Sequence, residues 1–123
     1  MPGSWPDKFR TAWRGMCLAI RSERSFAVHL PVTVAVALGG VALRVNLVES
    51  CILGLCVALV LSAEIFNTSI EFLAREVSRD QRPGIAAALD IASGAVLLAS
   101  LGAAGVGSAI FLSRLGMLLG WWK

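Results

Sequence analysis

The sequence has few charged residues, and this scarcity excludes most classes of water-soluble domain. Charged side chains make up 15% of the 123 residues and apolar ones 57%, whereas soluble domains average about 25% and about 45–50%. Three long stretches, residues 25–43, 50–63 and 91–113, contain no Asp, Glu, Lys or Arg. A chain of this length and composition is predicted to form one domain embedded in a membrane.

The sequence also lacks a glycine-rich phosphate loop, a dinucleotide fingerprint and the motif set of soluble kinases. Any nucleotide site would therefore be built from helices and carboxylates.

Cysteine is scarce as well. Cys17, Cys51 and Cys56 are odd in number and lack the spacing of a metal site, so we interpret them as small packing residues.

Hydropathy predicts three membrane-spanning helices. A spanning helix needs about 20 apolar residues, with a range of about 17–25, and the first and third uncharged stretches meet this requirement directly. The second stretch is long enough only if its helix continues through Glu64 to Ile70. We therefore predict spans at about residues 26–44, 49–76 and 84–113.

The N-terminal region, at about residues 5–24, is predicted to be an amphipathic helix on the membrane surface. Its five basic residues are interleaved with Trp5, Phe9, Trp13 and other apolar side chains, a mixture typical of interfacial helices. The region lacks the compact apolar core of a signal peptide. A merely solvated basic tail, the alternative, does not explain the interleaved aromatic residues.

The distribution of Lys and Arg predicts the orientation in the membrane. Of the 11 such residues, the N-terminal helix and the loop between the second and third spans contain all but Arg44, Arg114 and Lys123. Because basic segments remain in the cytoplasm, we expect the N-terminus to be cytoplasmic. The basic pI of about 9.1 then reflects anionic lipid headgroups rather than nucleic acid.

The second predicted span has a polar stripe near its cytoplasmic end. At about 100° per residue, the stripe residues share one arc of the helix, namely Glu64, Asn67, Thr68, Glu71 and Arg75. Ionisable groups in spans are costly and usually face a cavity or partner, so we interpret the stripe as a functional site. The structural alternatives are an ion pair between Glu71 and Arg75 and interhelical hydrogen bonds from Asn67 and Thr68.

Two further carboxylates are predicted on the same side of the membrane. Glu23 ends the surface helix, and Asp90 lies just inside the third span. Carboxylates gathered near arginines are suited to a metal-bridged phosphate, since Mg²⁺ prefers one or two carboxylates plus phosphate oxygens. Taken singly, Asp90 could instead complement a helix dipole.

His29 could titrate near neutral pH, but a lone histidine near a membrane interface is more often structural.

The third span contains small residues at four-residue spacing, namely Ala95, Ala99, Ala103 and Gly107. Such a stripe lets helix backbones approach closely, within one chain or between copies. Because three spans bury little surface, we expect a homo-oligomer.

These residues resemble the small integral-membrane lipid kinases of prokaryotes, the diacylglycerol kinase and undecaprenol kinase family. "EIFNTSIE" (64–71) is similar to the family motif E-x-x-N-[ST]-x-[IL]-E, and "LDIASGAVLLAS" (89–100) is similar to its K-D-x-[AG]-[AS]-[GA]-A-V-L segment. "KFRTAWRGMCLAIRSERSFAVHL" (8–30) resembles the amphipathic helix that leads into its first span. The resemblance covers nearly the whole chain and keeps the order of the three blocks.

This resemblance implies an all-α membrane protein with a surface helix and three transmembrane helices. Residues 1–123 would form a single kinase domain, assembled as a homotrimer in the bacterial inner membrane. The implied reaction is transfer of the γ-phosphoryl group of ATP to a lipid alcohol at the cytoplasmic interface. Diacylglycerol is the first expected acceptor and undecaprenol the second.

The resemblance also implies roles for individual residues. Glu23 and Glu71 would hold Mg²⁺ on the nucleotide phosphates, and Glu64 would be the general base for the lipid hydroxyl. Asn67 and Asp90 would position the nucleotide or catalytic groups. These roles agree with the needs of phosphoryl transfer, which are positioning and charge neutralisation.

One position departs from the family pattern. Leu89 stands where the family has a lysine before the aspartate, and Arg75, Arg79 or Arg82 would have to supply its charge to the transferred phosphate. Leu89 favours an alternative, a catalytically weak or inactive relative that acts as a lipid-binding membrane subunit. A transporter that uses Glu64 as a proton site is the other alternative, but it gives no reason for acidic groups at both 23 and 90.

Overall fold

The computed structural model describes residues 3–77, 80 and 82–122, which contain four α-helices. They are α1 (Trp5–Ser22), α2 (Phe26–Ala42), α3 (Leu47–Val77) and α4 (Pro83–Leu118). The bounds lie close to those predicted for the surface helix and the three apolar segments, because apolar runs separated by charge, proline and glycine define the helices. Arg79, one of the predicted cytoplasmic basic residues, lies outside the described residues.

A sharp bend separates α1 from α2. Residues 23–25 form the break, and the chain bends there by 108°. This angle turns α1 across the direction of α2, as expected for a helix that lies along a membrane surface. Trp5, Phe9 and Trp13 recur on one side of α1 and are all well exposed, so they are available to the lipid interface.

Two helices are long and apolar enough to cross a membrane by themselves. Helices α3 and α4 have 31 and 36 residues, so they are about 46 and 54 Å long, whereas a hydrocarbon core is about 30 Å thick. Helix α2 has 17 residues and qualifies only together with α1, as a bent pair. The described helices therefore provide two possible membrane spans, or three if the bent pair α1–α2 counts as a single span.

Helices α3 and α4 form an antiparallel hairpin, which is the most extensive packing contact between the described helices. At the end remote from the connecting loop, the Nη2 and Nε atoms of Arg114 lie 2.6 and 2.7 Å from Oε1 of Glu49. Glu49 also accepts the N–H of Asn46 at 3.0 Å, and Asn46 Oδ1 accepts the N–H of Glu49 at 2.8 Å. This reciprocal capping box begins α3.

The small-residue stripe of α4 lies beside α3. Ala95, Ala99 and Ala103 line a groove between the two helices, and a Cβ atom on Gly107 would lie 3.9 Å from Cδ2 of Leu53. Small side chains here allow the two backbones to approach. The stripe thus contributes to packing within the chain, one of its two predicted uses.

Helices α2 and α4 each end with a residue in the left-handed region. Arg44 (φ 55°) follows α2, and Gly120 (φ 78°) follows α4. After α2, the N–H of Val45 donates to the carbonyl oxygen of Gly40 at 3.1 Å, which closes a Schellman turn. Glycine adopts this conformation freely, but arginine is strained in it.

The chain buries little apolar surface. Its accessible area is 9060 Å², whereas a compact soluble protein of 13.0 kDa would expose about 6300 Å². Among the described residues, the buried apolar ones are Ala19, Phe26, Leu53 and Ala92. The remaining apolar surface therefore requires lipid or other copies of the chain to cover it.

Candidate functional site

Helix α3 turns its polar face inward. Glu64, Asn67 and Thr68 are buried, while Phe66 and Leu73 on the other sides of the helix are 71% and 64% exposed. This is the reverse of a soluble amphipathic helix, and it is expected where the surroundings are lipid. The separation of polar and apolar residues predicted from their spacing is therefore present in the structure.

The Glu64 carboxylate is almost completely enclosed. Its side chain is 4% exposed, and Oε1 lies 3.1 Å from Nε2 of His29 on α2. Thr68 Oγ1 donates to the Glu64 carbonyl oxygen at 2.9 Å. The second carboxylate oxygen, Oε2, is buried and has no hydrogen-bond partner among the described residues. Because an unpaired buried acceptor costs about 1–3 kcal/mol, Oε2 is suited to receive a donor such as a hydroxyl group.

Asn67 and Glu71 continue the polar face toward the end of α3. Asn67 Nδ2 donates to Oε1 of Glu71 at 2.9 Å, while Asn67 Oδ1 is buried and unpartnered within the described residues. The carboxyl group of Glu23 lies near that of Glu71, close enough for the two groups to interact. Glu23 reaches this position because it ends α1 at the bend, where its N–H donates to the carbonyl oxygen of Ala19 at 3.2 Å.

We call Glu23, His29, Glu64, Asn67 and Glu71 the carboxylate cluster. Two of its carboxyl groups, those of Glu23 and Glu71, repel each other when both are ionised, unless a proton or a cation lies between them. Their oxygens are the ligand type that Mg²⁺ prefers, and Asn67 Oδ1 is a further free acceptor on the same helix. No three His, Cys, Asp or Glu side chains converge as a metal site in the described part of the chain. The donor set therefore fits a divalent cation that also takes oxygens from a bound phosphate.

Arg75 lies one turn beyond Glu71, and its charge acts on the Glu71 carboxylate, but the two side chains form no salt bridge. Its Nε donates to the carbonyl oxygen of Glu71 at 3.4 Å, and its guanidinium carbon lies 4.8 Å from the centroid of the Phe72 ring. The ion pair between Glu71 and Arg75, which was the structural alternative for the polar stripe of α3, is therefore not formed between these two described residues.

Asp90 lies apart from the carboxylate cluster. It is exposed on α4, beside the half-buried Leu89, and no hydrogen bond or ion pair joins it to another described residue. A single copy of the chain thus brings together four of the five predicted site residues, those at positions 23, 64, 67 and 71, but not Asp90.

Two apolar cavities adjoin the carboxylate cluster. One is the groove between α3 and α4, which has a volume of about 830 Å³ and has Asn67 in its lining. The other, of about 360 Å³ between α2, α3 and α4, has His29 in its lining. Most of the remaining lining residues are aliphatic or small, so hydrocarbon chains could approach the cluster from either cavity.

His29 is the member of the cluster that is expected from the sequence to be structural. Its contact with Glu64 joins residues 35 positions apart and depends on how α2 packs against α3. The sequence offers only a weak signal for it, a single histidine close to the predicted membrane interface.

Comparison with known proteins finds relatives along most of the chain. The profile of the family described as prokaryotic diacylglycerol kinase matches residues 10–111, which confirms the resemblance inferred from the motifs. The chain is 33% identical over 112 residues to a diacylglycerol kinase of Synechocystis sp.. It is 32% identical over 107 residues to an undecaprenol kinase of Bacillus subtilis.

These alignments differ in how much of each relative they cover. They include 90% and 87% of this chain, but 64% of the Synechocystis protein and 87% of the Bacillus subtilis protein. The chain therefore spans less than two thirds of the length of the first relative. No solved structure matches the chain.

Proposed function

The chain belongs to the prokaryotic diacylglycerol kinase family, and from that premise we propose that it transfers the γ-phosphoryl group of ATP to the hydroxyl group of a membrane lipid. The names of the family and of both relatives indicate a lipid kinase. The observation that supports the proposal is the buried Glu64 carboxylate, with one oxygen held by His29 and the other free. The paired carboxyl groups of Glu23 and Glu71 lie about two helical turns away.

In the proposed reaction, Oε2 of Glu64 accepts the proton of the lipid hydroxyl while the hydroxyl oxygen bonds to the γ-phosphorus. The bond between that phosphorus and the β–γ bridging oxygen breaks, and ADP leaves with the electron pair. Glu23 and Glu71 would hold Mg²⁺, which neutralises charge on the phosphates when bound. Asn67 orients the Glu71 carboxylate through its 2.9 Å hydrogen bond.

Diacylglycerol is the first proposed acceptor and undecaprenol the second. Each is the substrate in the name of one relative. The cavities beside Asn67 and His29 are apolar, so either kind of hydrocarbon tail suits them. A general base must lie within hydrogen-bond reach of the proton it removes, which requires the acceptor hydroxyl to enter the space beside Oε2 of Glu64.

The proposed working form is a homotrimer in the bacterial inner membrane, with α2, α3 and α4 as three spans and a cytoplasmic N-terminus. The extensive exposed apolar surface supports an assembly in which copies cover one another. Asp90, which is exposed on α4, would then contribute to nucleotide binding across a boundary between copies. The native mass of the purified protein tests the number of copies.

One observation favours a second candidate, a catalytically weak relative that binds lipid. Leu89 occupies the position of the family's lysine. Among the described residues, no lysine or arginine forms a salt bridge with Glu23, Glu64 or Glu71. In this second candidate, the transferred phosphate would lack a cationic side chain, and transfer would be slow.

The test is transfer of label from γ-labelled ATP to a panel of lipid alcohols, with and without Mg²⁺. We expect Glu64→Gln to slow transfer by about 10²–10⁴-fold, the range for loss of a general base, because glutamine cannot accept the proton. Glu76→Gln is the matched control, since it makes the same change at an exposed position of α3. Equal rates in wild type and Glu64→Gln would contradict the role of Glu64. No transfer by the wild type to any lipid would favour the lipid-binding relative.

A further inference from the structure

His29 is the single histidine of the sequence, and its imidazole contacts the proposed base from a different helix. Nε2 lies 3.1 Å from Oε1 of Glu64, and the His29 side chain is 23% exposed. The imidazole also lines the cavity of about 360 Å³ between α2, α3 and α4. His29 therefore separates an apolar space, large enough for part of a hydrocarbon chain, from an enclosed carboxylate.

The contact distinguishes the two oxygens of Glu64. The terminal torsion of a glutamate side chain is broad, so without a partner either oxygen could face a substrate. The contact of Nε2 of His29 with Oε1 is 3.1 Å long. In the tautomer that carries its proton on Nε2, His29 donates a hydrogen bond that occupies Oε1 and defines the plane of the carboxylate. Oε2 is then the oxygen that is left to accept a proton, and it is the one without a partner among the described residues.

We propose that His29 is a positioning residue for phosphoryl transfer, which holds Oε1 of Glu64 so that Oε2 faces the acceptor hydroxyl. This inference rests on the proposed function, because it takes Glu64 as the base. In this role, the imidazole carries the proton of the hydrogen bond on Nε2. The proton of the acceptor goes to Glu64, and His29 neither gains nor loses one during transfer.

Kinase kinetics of two substitutions test this role. His29→Leu removes the donor and keeps an apolar side chain for packing, whereas His29→Gln retains an N–H group close to the position of Nε2. We expect His29→Leu to lower kcat by about 100-fold with an unchanged KM for ATP, the loss typical of a catalytic group displaced by about 1 Å. His29→Gln should recover most of the activity. A purely packing role predicts the reverse order, because leucine fills an apolar site better than glutamine.

A control variant lies elsewhere on α2. Val34 is 57% exposed and lines neither of the two cavities beside the carboxylate cluster. Val34→Leu introduces the same side chain as His29→Leu, but outside the space proposed for the lipid. We expect Val34→Leu to keep the wild-type kcat, so a comparable loss in Val34→Leu and His29→Leu would overturn the specific role of the imidazole.

A second measurement does not depend on activity. Because the chain has one histidine, protein without a histidine tag gives one set of imidazole ¹⁵N resonances. We expect the tautomer protonated at Nε2, with a resonance that Glu64→Gln displaces and Glu76→Gln leaves in place. This measurement decides the existence of the contact even if His29→Leu fails to fold.

The outcomes separate the inference from the proposed function. An active wild type whose His29→Leu variant keeps full kcat would overturn the positioning role alone. So would a His29 resonance that does not respond to Glu64→Gln. A wild type that transfers no phosphate to any lipid would overturn the proposed function, and the positioning role with it.

Discussion

The proximity of Glu23 and Glu71 predicts that neutralising one of them stabilises the metal-free protein. Their carboxyl groups lie close enough to interact, and both residues are half-buried. Two like charges 4 Å apart repel by about 1 kcal/mol in water and about 4 kcal/mol at the effective dielectric constant of about 20 that applies near protein surfaces. Partial exposure favours the lower part of this range. We therefore expect the free energy of unfolding to rise by about 1–2 kcal/mol when one of the two charges is removed.

Glu71→Gln removes one of the two charges and keeps the shape of the side chain. The Oε1 atom of glutamine can still accept the hydrogen bond that Asn67 Nδ2 now donates at 2.9 Å, and its amide group can donate to Glu23. The gain should grow from acid to neutral pH, because the repulsion requires both carboxyl groups to be ionised. At acid pH the groups are protonated, and wild type and variant should unfold alike.

The same substitution should abolish stabilisation by Mg²⁺ bound with a non-hydrolysable ATP analogue. A ligand present at one hundred times its Kd stabilises the folded state by about 2.7 kcal/mol. Wild type should therefore be the less stable protein without metal and nucleotide, and the more stable one with them. Such a crossover is expected of a carboxylate pair that binds a cation, and not of a pair that only packs.

The assay is unfolding by heat or denaturant in a fixed detergent or nanodisc, with and without Mg²⁺ and the analogue. Glu76→Gln, at an exposed position of the same helix, should follow wild type under both conditions. If Glu71→Gln unfolded like wild type without metal, and gained as much from Mg²⁺ and the analogue, the cation site argued from Glu23 and Glu71 would be refuted.

Two further predictions concern positions 89 and 44. Leu89→Lys places a cation next to Asp90, where the family has one. It should raise turnover of labelled ATP by about 10²-fold, because one well-placed donor stabilises developing charge by about that factor. Unchanged turnover in a folded variant would contradict this. Arg44→Gly relieves a left-handed backbone at φ 55°. The free energy of unfolding should rise by about 0.5–1 kcal/mol once the entropy cost of glycine is subtracted. Arg44→Ala should bring no such rise. Equal denaturation midpoints for the two variants would contradict backbone strain at position 44.

The helices and the polar face of α3 could be predicted because they depend on residues close together in the sequence. The predicted starts at 49 and 84 lie within two residues of Leu47 and Pro83. The end of α4 differs more, since the uncharged run stops at 113 and the helix continues to Leu118. It continues because Arg114 is paired with Glu49, so the charge that suggested an end is neutralised inside the hairpin.

Contacts between helices could not be predicted in the same way. The pairs His29–Glu64 and Glu49–Arg114 join positions 35 and 65 residues apart. Periodicity identifies the polar side of each helix. It does not give the rotation and axial shift of one helix against another, which depend on how all the facing side chains pack. For the same reason, the sequence alone could not show that a single copy leaves Asp90 outside the carboxylate cluster.

Glu23 shows how backbone geometry can bring a residue with little sequence signal into a site. By itself it is one more charged residue at the end of a basic helix. In the structure it adopts an extended conformation after α1, and the chain then bends by 108° before Phe26, whose side chain is buried. The buried Phe26 anchors the chain directly after the bend, and this restrains Glu23, three residues earlier, near Glu71. A fold that holds two carboxyl groups together against their repulsion sacrifices stability for binding, which is the arrangement expected of a cation site.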